Sequence, residues 1–254
     1  MRLRPLLLAI VGLLLGAQAV RADGSDDQST ASQLPWTRSI VCPVLYTHEV
    51  PSQAIFRRFL TGLLAAGYQP NSLAAVDAAM SGTSDAPRGC VVLTFDDGLL
   101  SQYLNAVPVL TDLAVPAVFF VLPGFNDGIH RYMGTPELQA LSDAGMEVEL
   151  HTCNHPNLPL LARRNLTAFF AELLDCKHIL EDITGQSVDY VAYPFGAVDA
   201  TVLDAVTRFG FRGGFTTRAS AVLNYRSPYT LPRIHYDPGE ALATILRRIR
   251  AAGG

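Results

Sequence analysis

Short runs of consecutive apolar residues alternate along the chain with longer stretches whose apolar residues recur every three or four positions. Ser39 to Tyr46, rich in Val and Ile, reads as a strand. From Ser52 to Ala66 the residues Ile55, Phe56, Phe59, Leu60, Leu63 and Leu64 fall at helical spacing, and Gly67 closes the segment. After a Gly/Ser/Pro loop, Cys90 to Phe95 is an unbroken apolar strand that runs into two carboxylates. Tyr103 to Leu113 predicts a helix and Ala117 to Leu122 a strand. Thr135-Pro136-Glu137 reads as a helix start, with a hydroxyl N-cap, Pro at the first helical position and an acid in the first turn; Gly145 ends that helix. Met146 to Leu150 is a strand. Arg164 to Thr184 is a long helix stopped by Gly185. Val188 to Tyr193, Gly213 to Thr217 and Leu231 to His235 read as strands, with a helix from Asp199 to Phe209 and a terminal helix from about Gly239.

Strands that alternate with helices imply parallel βα units, and strands this apolar are expected to be buried on both faces. Seven or so units in one domain favour closure, so the expected fold is α/β, a distorted (β/α)7-type barrel in a single domain. In such a barrel reactive groups collect where strands end. The polar residues here do so: His48 after the first strand, Asp96 and Asp97 after the second, His151 after the fourth, and Tyr193-Pro194-Phe195-Gly196 after the fifth.

The first residues stand apart from this pattern. Met1-Arg2-Leu3-Arg4 is basic, Leu6 to Leu15 is apolar but short for a bilayer span, and small residues follow. Residues 1–22 therefore read as a signal peptide cut near Ala19 or Ala22, residues 23–38 as a disordered lead, and residues 39–254 as the domain. That makes the protein periplasmic or secreted, with no transmembrane span in the mature chain; an uncleaved anchor is the other reading. The net charge of −4 and the lack of a basic stripe argue against a nucleic-acid partner. Four cysteines in an exported chain invite pairing, and their spacing includes no CxxC zinc pattern. Cys42 and Cys90 each lie six residues before a candidate site residue, so neighbouring strands would set them level. Cys153 reads as a variable loop position.

Asp96 and Asp97 end a strand, where successive side chains point opposite ways, so one carboxylate is placed to bind a cation while the other stays free as a base. Gly98 lets the chain turn after them. His151 and His155 follow a strand and precede Pro156, which favours a turn over a helix. Two imidazoles and one carboxylate form a metal triad that leaves coordination open for water. A glycosidase reading fails, because adjacent carboxylates diverge whereas a glycosidase pair must face each other across about 5–9 Å.

Thr94-Phe95-Asp96-Asp97-Gly98 and His151-Thr152-Cys153-Asn154-His155 resemble the first and second motifs of the polysaccharide deacetylases, carbohydrate esterase family 4, and Ala192-Tyr193-Pro194-Phe195-Gly196 resembles the third. Pro43-Val44-Leu45-Tyr46-Thr47-His48 and Leu231-Pro232-Arg233-Ile234 resemble the opening and closing segments of the branch acting on poly-β-1,6-N-acetylglucosamine. The likeness spans roughly Val41 to Tyr236. It implies that Asp97, His151 and His155 hold a divalent metal, usually Zn2+. It also implies that Asp96 is the base toward water, that the backbone N–H of Phe195 steadies the oxyanion, and that a histidine protonates the leaving amine. His48 is the candidate for that acid and His235 its competitor. Many relatives carry an Arg before the third motif's Pro; none stands there, and Arg233 is the candidate to reach Asp96 instead. The groove Trp of many relatives is also missing, since the only Trp is Trp36, which leaves Tyr132, Phe125 or Tyr225 for stacking on sugar. The expected partner is an acetylated polysaccharide and the expected state a monomer. A small-molecule amidase and a silent glycan-binding module on the same scaffold remain the alternatives.

Overall fold

A computed structural model describes residues 36–125 and 131–254. The expected signal peptide, residues 1–22, lies outside the described residues, as does the lead as far as residue 35. Residues 36–38 of that lead are held in place rather than loose. The N–H groups of Thr37 and Arg38 both donate to the Met80 carbonyl, at 2.8 and 3.1 Å, and the Trp36 indole N–H donates to Asp77.

Seven parallel strands form the body: β1 Val44–Thr47, β2 Cys90–Asp97, β3 Val118–Val121, β4 Glu147–Leu150, β5 Tyr190–Ala192, β6 Gly213–Phe215 and β7 Ile234–His235. Their order is β7-β1-β2-β3-β4-β5-β6. The two edges then meet. Leu231, just ahead of β7, donates from its N–H to the Gly214 carbonyl and accepts from the Thr216 N–H, both at 2.8 Å. The sheet thus curls into a seven-stranded barrel whose seam lies between β6 and β7.

Alternation along β2 shows how the sequence builds two cores. Val91, Leu93 and Phe95 face outward into the layer of helices, while Cys90 and Val92 face inward with Val44, Val118, Phe120 and Phe215. Past Val92 the inward positions of β2 turn polar, Thr94 and then Asp96. The barrel is therefore apolar in its lower half and carries its polar groups at the C-terminal mouth. β1 and β2 pair with Val44 opposite Val92, so Cys42 and Cys90 fall in register, and they form a disulfide.

Several elements differ from the sequence expectation. Gly134, not Thr135, is the N-cap of helix Thr135–Asp143, and the Glu137 carboxylate accepts its N–H at 2.8 Å. The long helix expected over 164–184 runs from Leu166 to Thr184, its start capped by the Asn165 side chain, which accepts from Ala168 N–H at 3.0 Å; the separate helix Leu158–Arg164 ahead of it was not expected. Helix Leu73–Ser81 has no counterpart in the sequence reading. It is Ala-rich with little polar contrast between its faces, and it is fixed by the Ser72 cap and by Gly82 at φ 79°.

At the lower end of the barrel Glu149 is buried and Glu147 half-buried. Glu149 accepts from Tyr190 N–H and Glu147 from Leu73 N–H, each at 2.8 Å. Burial pushes the Glu147 carboxyl up to about 7, against the pull of the Leu73 N–H and with the help of Asp189. A raised acid holds its proton longer in the folded chain than in the unfolded one. Stability from Glu147 is therefore complete below pH 4.5 and is lost as pH rises to about 7. Glu147→Gln keeps the acceptor for Leu73 and cannot ionise. Urea unfolding at pH 5 and pH 8 should show the variant gaining on the order of 2 kcal/mol over the parent at the higher pH.

Candidate metal centre and active site

Asp96 is the inward residue at the end of β2, and Arg233 comes from the segment leading into β7. They meet inside the barrel in a two-pronged pair, Arg233 Nη1 to Asp96 Oδ1 at 2.6 Å and Nη2 to Oδ2 at 2.8 Å. Both are almost fully buried, at 1 % and 2 % exposed. The guanidinium is sandwiched by rings, with its carbon 4.5 Å from the Tyr46 centroid and 5.5 Å from that of Phe120. Burial alone would push the Asp96 carboxyl up. The Arg233 guanidinium, helped by His151 and His48, more than reverses this and holds it below the usual carboxylate range. Asp96 is thus an ionised, oriented carboxylate in a dry setting.

Asp97, one residue on, would point away from Asp96 in a regular strand. It instead takes a left-handed backbone, φ 76°, and Gly98 follows at φ 71°. That turn carries its carboxylate toward His151 and His155, whose Nε2 atoms lie 3.5 and 3.7 Å from Asp97 Oδ1. His151 Nδ1 is 2.7 Å from the Ala192 carbonyl, a contact that places a proton on Nδ1 and leaves the Nε2 lone pair facing the cluster. Burial keeps the His151 imidazole below its ordinary value despite Asp96 and Asp97, which favours the neutral ring. Asp97 Oδ1 is buried with no hydrogen-bond partner. One ligand atom from each of the three residues lies within 4.8 Å of the others. Two imidazole nitrogens facing an unsatisfied carboxylate oxygen fit a divalent cation of the zinc type, because a cation satisfies all three donors at once.

Among the described residues five non-glycine residues have positive φ, and four of them are at this mouth: Asp97, Thr152, His155 and Phe195. Such backbone is costly and is kept where surrounding structure over-determines it. Thr152 Oγ1 accepts the His155 N–H at 3.1 Å and so closes the turn between the two imidazoles. Phe195, 65 % exposed, leans edge-on against His155 with centroids 4.7 Å apart. His48 stands at the rim, 5.9 Å from the Tyr46 ring and 6.3 Å from that of His235. The structure thus brings Asp96, Arg233, Asp97, His151, His155 and Phe195 together and sets His48 and His235 beside one another.

Phe125 and Tyr132 pack together at 4.9 Å beside the ends of β3 and β2. Tyr225 and Trp36 pack against the inner core, near the antiparallel pairing of Ile40–Val41 with Val222–Leu223, at the end opposite the mouth. Tyr225 is therefore not a groove residue. Cys153 is not a free loop position either; it is disulfide-bonded to Cys176. Two site residues were not found from sequence. Gln102 donates to both the His48 and Asp96 carbonyls, at 2.7 and 2.5 Å, and so ties two strand ends together. Glu172 accepts three hydrogen bonds from the loop between the imidazoles. Each sits inside an otherwise ordinary helical pattern, and a polar residue on a buried helix face was the only signal.

A sequence model of polysaccharide deacetylases matches residues 83–214, just over half of the chain. The chain belongs to the polysaccharide deacetylase family. It is a hydrolase of the class acting on carbon–nitrogen bonds. It is 26% identical over 231 residues to YxkH of Bacillus subtilis (strain 168), with 87% of this chain and 80% of that protein covered. It is 27% identical over 158 residues to a Staphylococcus aureus (strain N315) poly-β-1,6-N-acetyl-D-glucosamine N-deacetylase, covering 58% of this chain and 54% of that protein. The chain thus spans about half the length of the S. aureus relatives it matches. Among solved folds, the deacetylase barrel superposes on Streptococcus pyogenes deacetylase PplD in complex with acetate (TM-score 0.75, 24% identity, 84% of this chain and 99% of that one). It also superposes on IcaB from Ammonifex degensii (TM-score 0.73, 24% identity, 82% and 97%). The matched family segment holds Asp96, Asp97, His151, His155 and Phe195 but neither His48 nor Arg233, which come from the first and last strands.

Proposed function

We propose that this protein is a metal-dependent N-deacetylase of an N-acetylglucosamine polysaccharide, with zinc held by Asp97, His151 and His155. The observation that carries the reading is the partnerless buried Asp97 Oδ1 facing two imidazole nitrogens. A divalent ion held there supplies Lewis acidity toward an acetamide oxygen and acidity to water. The chain's own groups do the rest. Asp96, kept ionised and aimed by Arg233, takes a proton from the attacking water. The Phe195 N–H donates to the oxyanion that forms on the carbonyl carbon. His48 gives a proton to the nitrogen as the C–N bond breaks, so that water and amide become acetate and a free amine. His235, beside it, is the other candidate for that step. Burial lowers the His235 imidazole, aided by His48 and Arg248, which weakens its hold on a proton.

The exposed Phe195 ring and the Phe125–Tyr132 pair offer apolar faces for sugar rings at the mouth. The 27% likeness to S. aureus enzymes supports a β-1,6 linkage. Two disulfides support an oxidising compartment, periplasmic or extracellular, and among the described residues no helix is long and apolar enough to cross a membrane. A monomer suffices, since every group invoked comes from one chain. The test compares acetate release by the zinc-loaded protein from β-1,6- and β-1,4-linked N-acetylglucosamine oligomers and from O-acetylated xylan. Release from the β-1,6 oligomers should be fastest. Equal or faster release from another substrate overturns the linkage, and no release from any leaves a glycan-binding module.

A further inference from the structure

The loop between the two imidazoles is gripped from three sides. The Glu172 carboxylate accepts from the N–H of Cys153, the N–H of Asn154 and the Asn154 side-chain amide, all at 2.8 Å. The Cys153 carbonyl accepts from Gly124 N–H at 3.1 Å. A side chain at Gly124 would come within 2.5 Å of Cys153 O and Asn154 Oδ1, so the β3 end packs against the loop without a gap. The Cys153 sulfur is bonded to Cys176, one helical turn beyond Glu172 on the same helical run. The backbone between them, Ala171–Asp175, makes a π turn, a widening often found where a helix serves a site.

This grip acts on a strained segment. Thr152 and His155 hold positive φ, 69° and 58°, a backbone that a free loop of non-glycine residues would leave. In this shape His151 Nε2 and His155 Nε2 both face Asp97 Oδ1. Glu172 is not one of the three converging donors, and it is itself buried at 8 % exposed. We infer that Glu172 is a positioning residue for the metal centre. Together with the Cys153–Cys176 disulfide it fixes the loop in the one conformation that presents both imidazoles. The inference rests on the metal reading of Asp97, His151 and His155.

Cobalt titration of the protein with both disulfides formed tests it, read by the visible absorption of bound Co2+ and by thermal melting. Glu172→Ala should weaken Co2+ binding by about 10–100-fold and change the spectrum, as loss of an outer support to metal ligands does. Glu172→Gln retains an acceptor for the two backbone N–H groups and should keep most of the affinity. Cys153→Ser/Cys176→Ser should weaken binding in the same direction as Glu172→Ala. Cys42→Ser/Cys90→Ser, which opens the disulfide at the start of β1 and β2, should lower the melting temperature and leave affinity and spectrum unchanged. If Glu172→Ala and the Cys153→Ser/Cys176→Ser pair melt lower yet bind Co2+ as the parent does, both groups are merely structural and the inference falls. Should Glu172→Ala fail to fold, the Cys153→Ser/Cys176→Ser pair alone decides. A parent protein that binds neither Co2+ nor Zn2+ overturns the metal reading itself, an outcome distinct from parent binding with unaffected variants.

Discussion

Asp96→Asn is expected to cut acetate release by about 10²–10⁴-fold, the usual contribution of a positioned general base, while leaving metal binding in place. The two effects should separate because the neighbouring carboxylates face different partners. Asp96 faces inward to Arg233, and Asp97 is turned by its left-handed backbone to the imidazoles. An amide at position 96 keeps the shape but cannot take a proton, and it leaves the buried guanidinium without its counter-charge. The variant should therefore also lose stability, up to about 3–5 kcal/mol. Acetate assay, metal content and urea unfolding on one preparation check all three statements. An Asp96→Asn protein that binds metal, folds and still releases acetate at the parent rate removes Asp96 from the reaction.

Arg233→Met is expected to be nearly as damaging, for a reason that reaches the reaction only through Asp96. With the guanidinium gone, burial of Asp96 is unopposed by its main counter-charge, and the carboxyl moves up. The acid limb of the rate profile should shift to higher pH and the rate at neutral pH should fall. Stability should drop by about 3–5 kcal/mol, because a carboxylate is left buried and unpaired. Arg233→Lys restores a charge but not the two-pronged geometry, and should recover only part of the rate. The double variant Asp96→Asn/Arg233→Met supplies the decisive comparison. It should be more stable than either single variant and as inactive as Asp96→Asn, since the charges need each other for stability while only the carboxylate acts on the proton. Additive stability losses in that cycle would contradict a coupled pair.

The barrel was legible because its strands are buried on both faces and its helices are not. Val91, Leu93 and Phe95 alternate with Cys90 and Val92, and both sets are apolar, which marks a strand between two cores. The switch to Thr94 and Asp96 on the inner face marked the mouth. The register of Cys42 with Cys90 followed from placing β1 beside β2. Contacts between segments far apart in the chain were harder to read. Arg233 and Asp96 are 137 residues apart and meet because β7 pairs with β1, itself beside β2. The Cys153–Cys176 bond depends on how a strained loop lies against a helix, which no periodicity encodes.

The central claim is that hydrolysis runs at one metal held by Asp97, His151 and His155. It is tested most directly by adding Zn2+ stepwise to chelator-stripped protein and measuring acetate released from a β-1,6-linked N-acetylglucosamine oligomer. The account predicts no release without metal, a linear rise to a break at about one equivalent per chain, and no rise for a His155→Ala variant, whose three-ligand set is broken. Full release by the stripped protein, or a parent-like rise in His155→Ala, would contradict it.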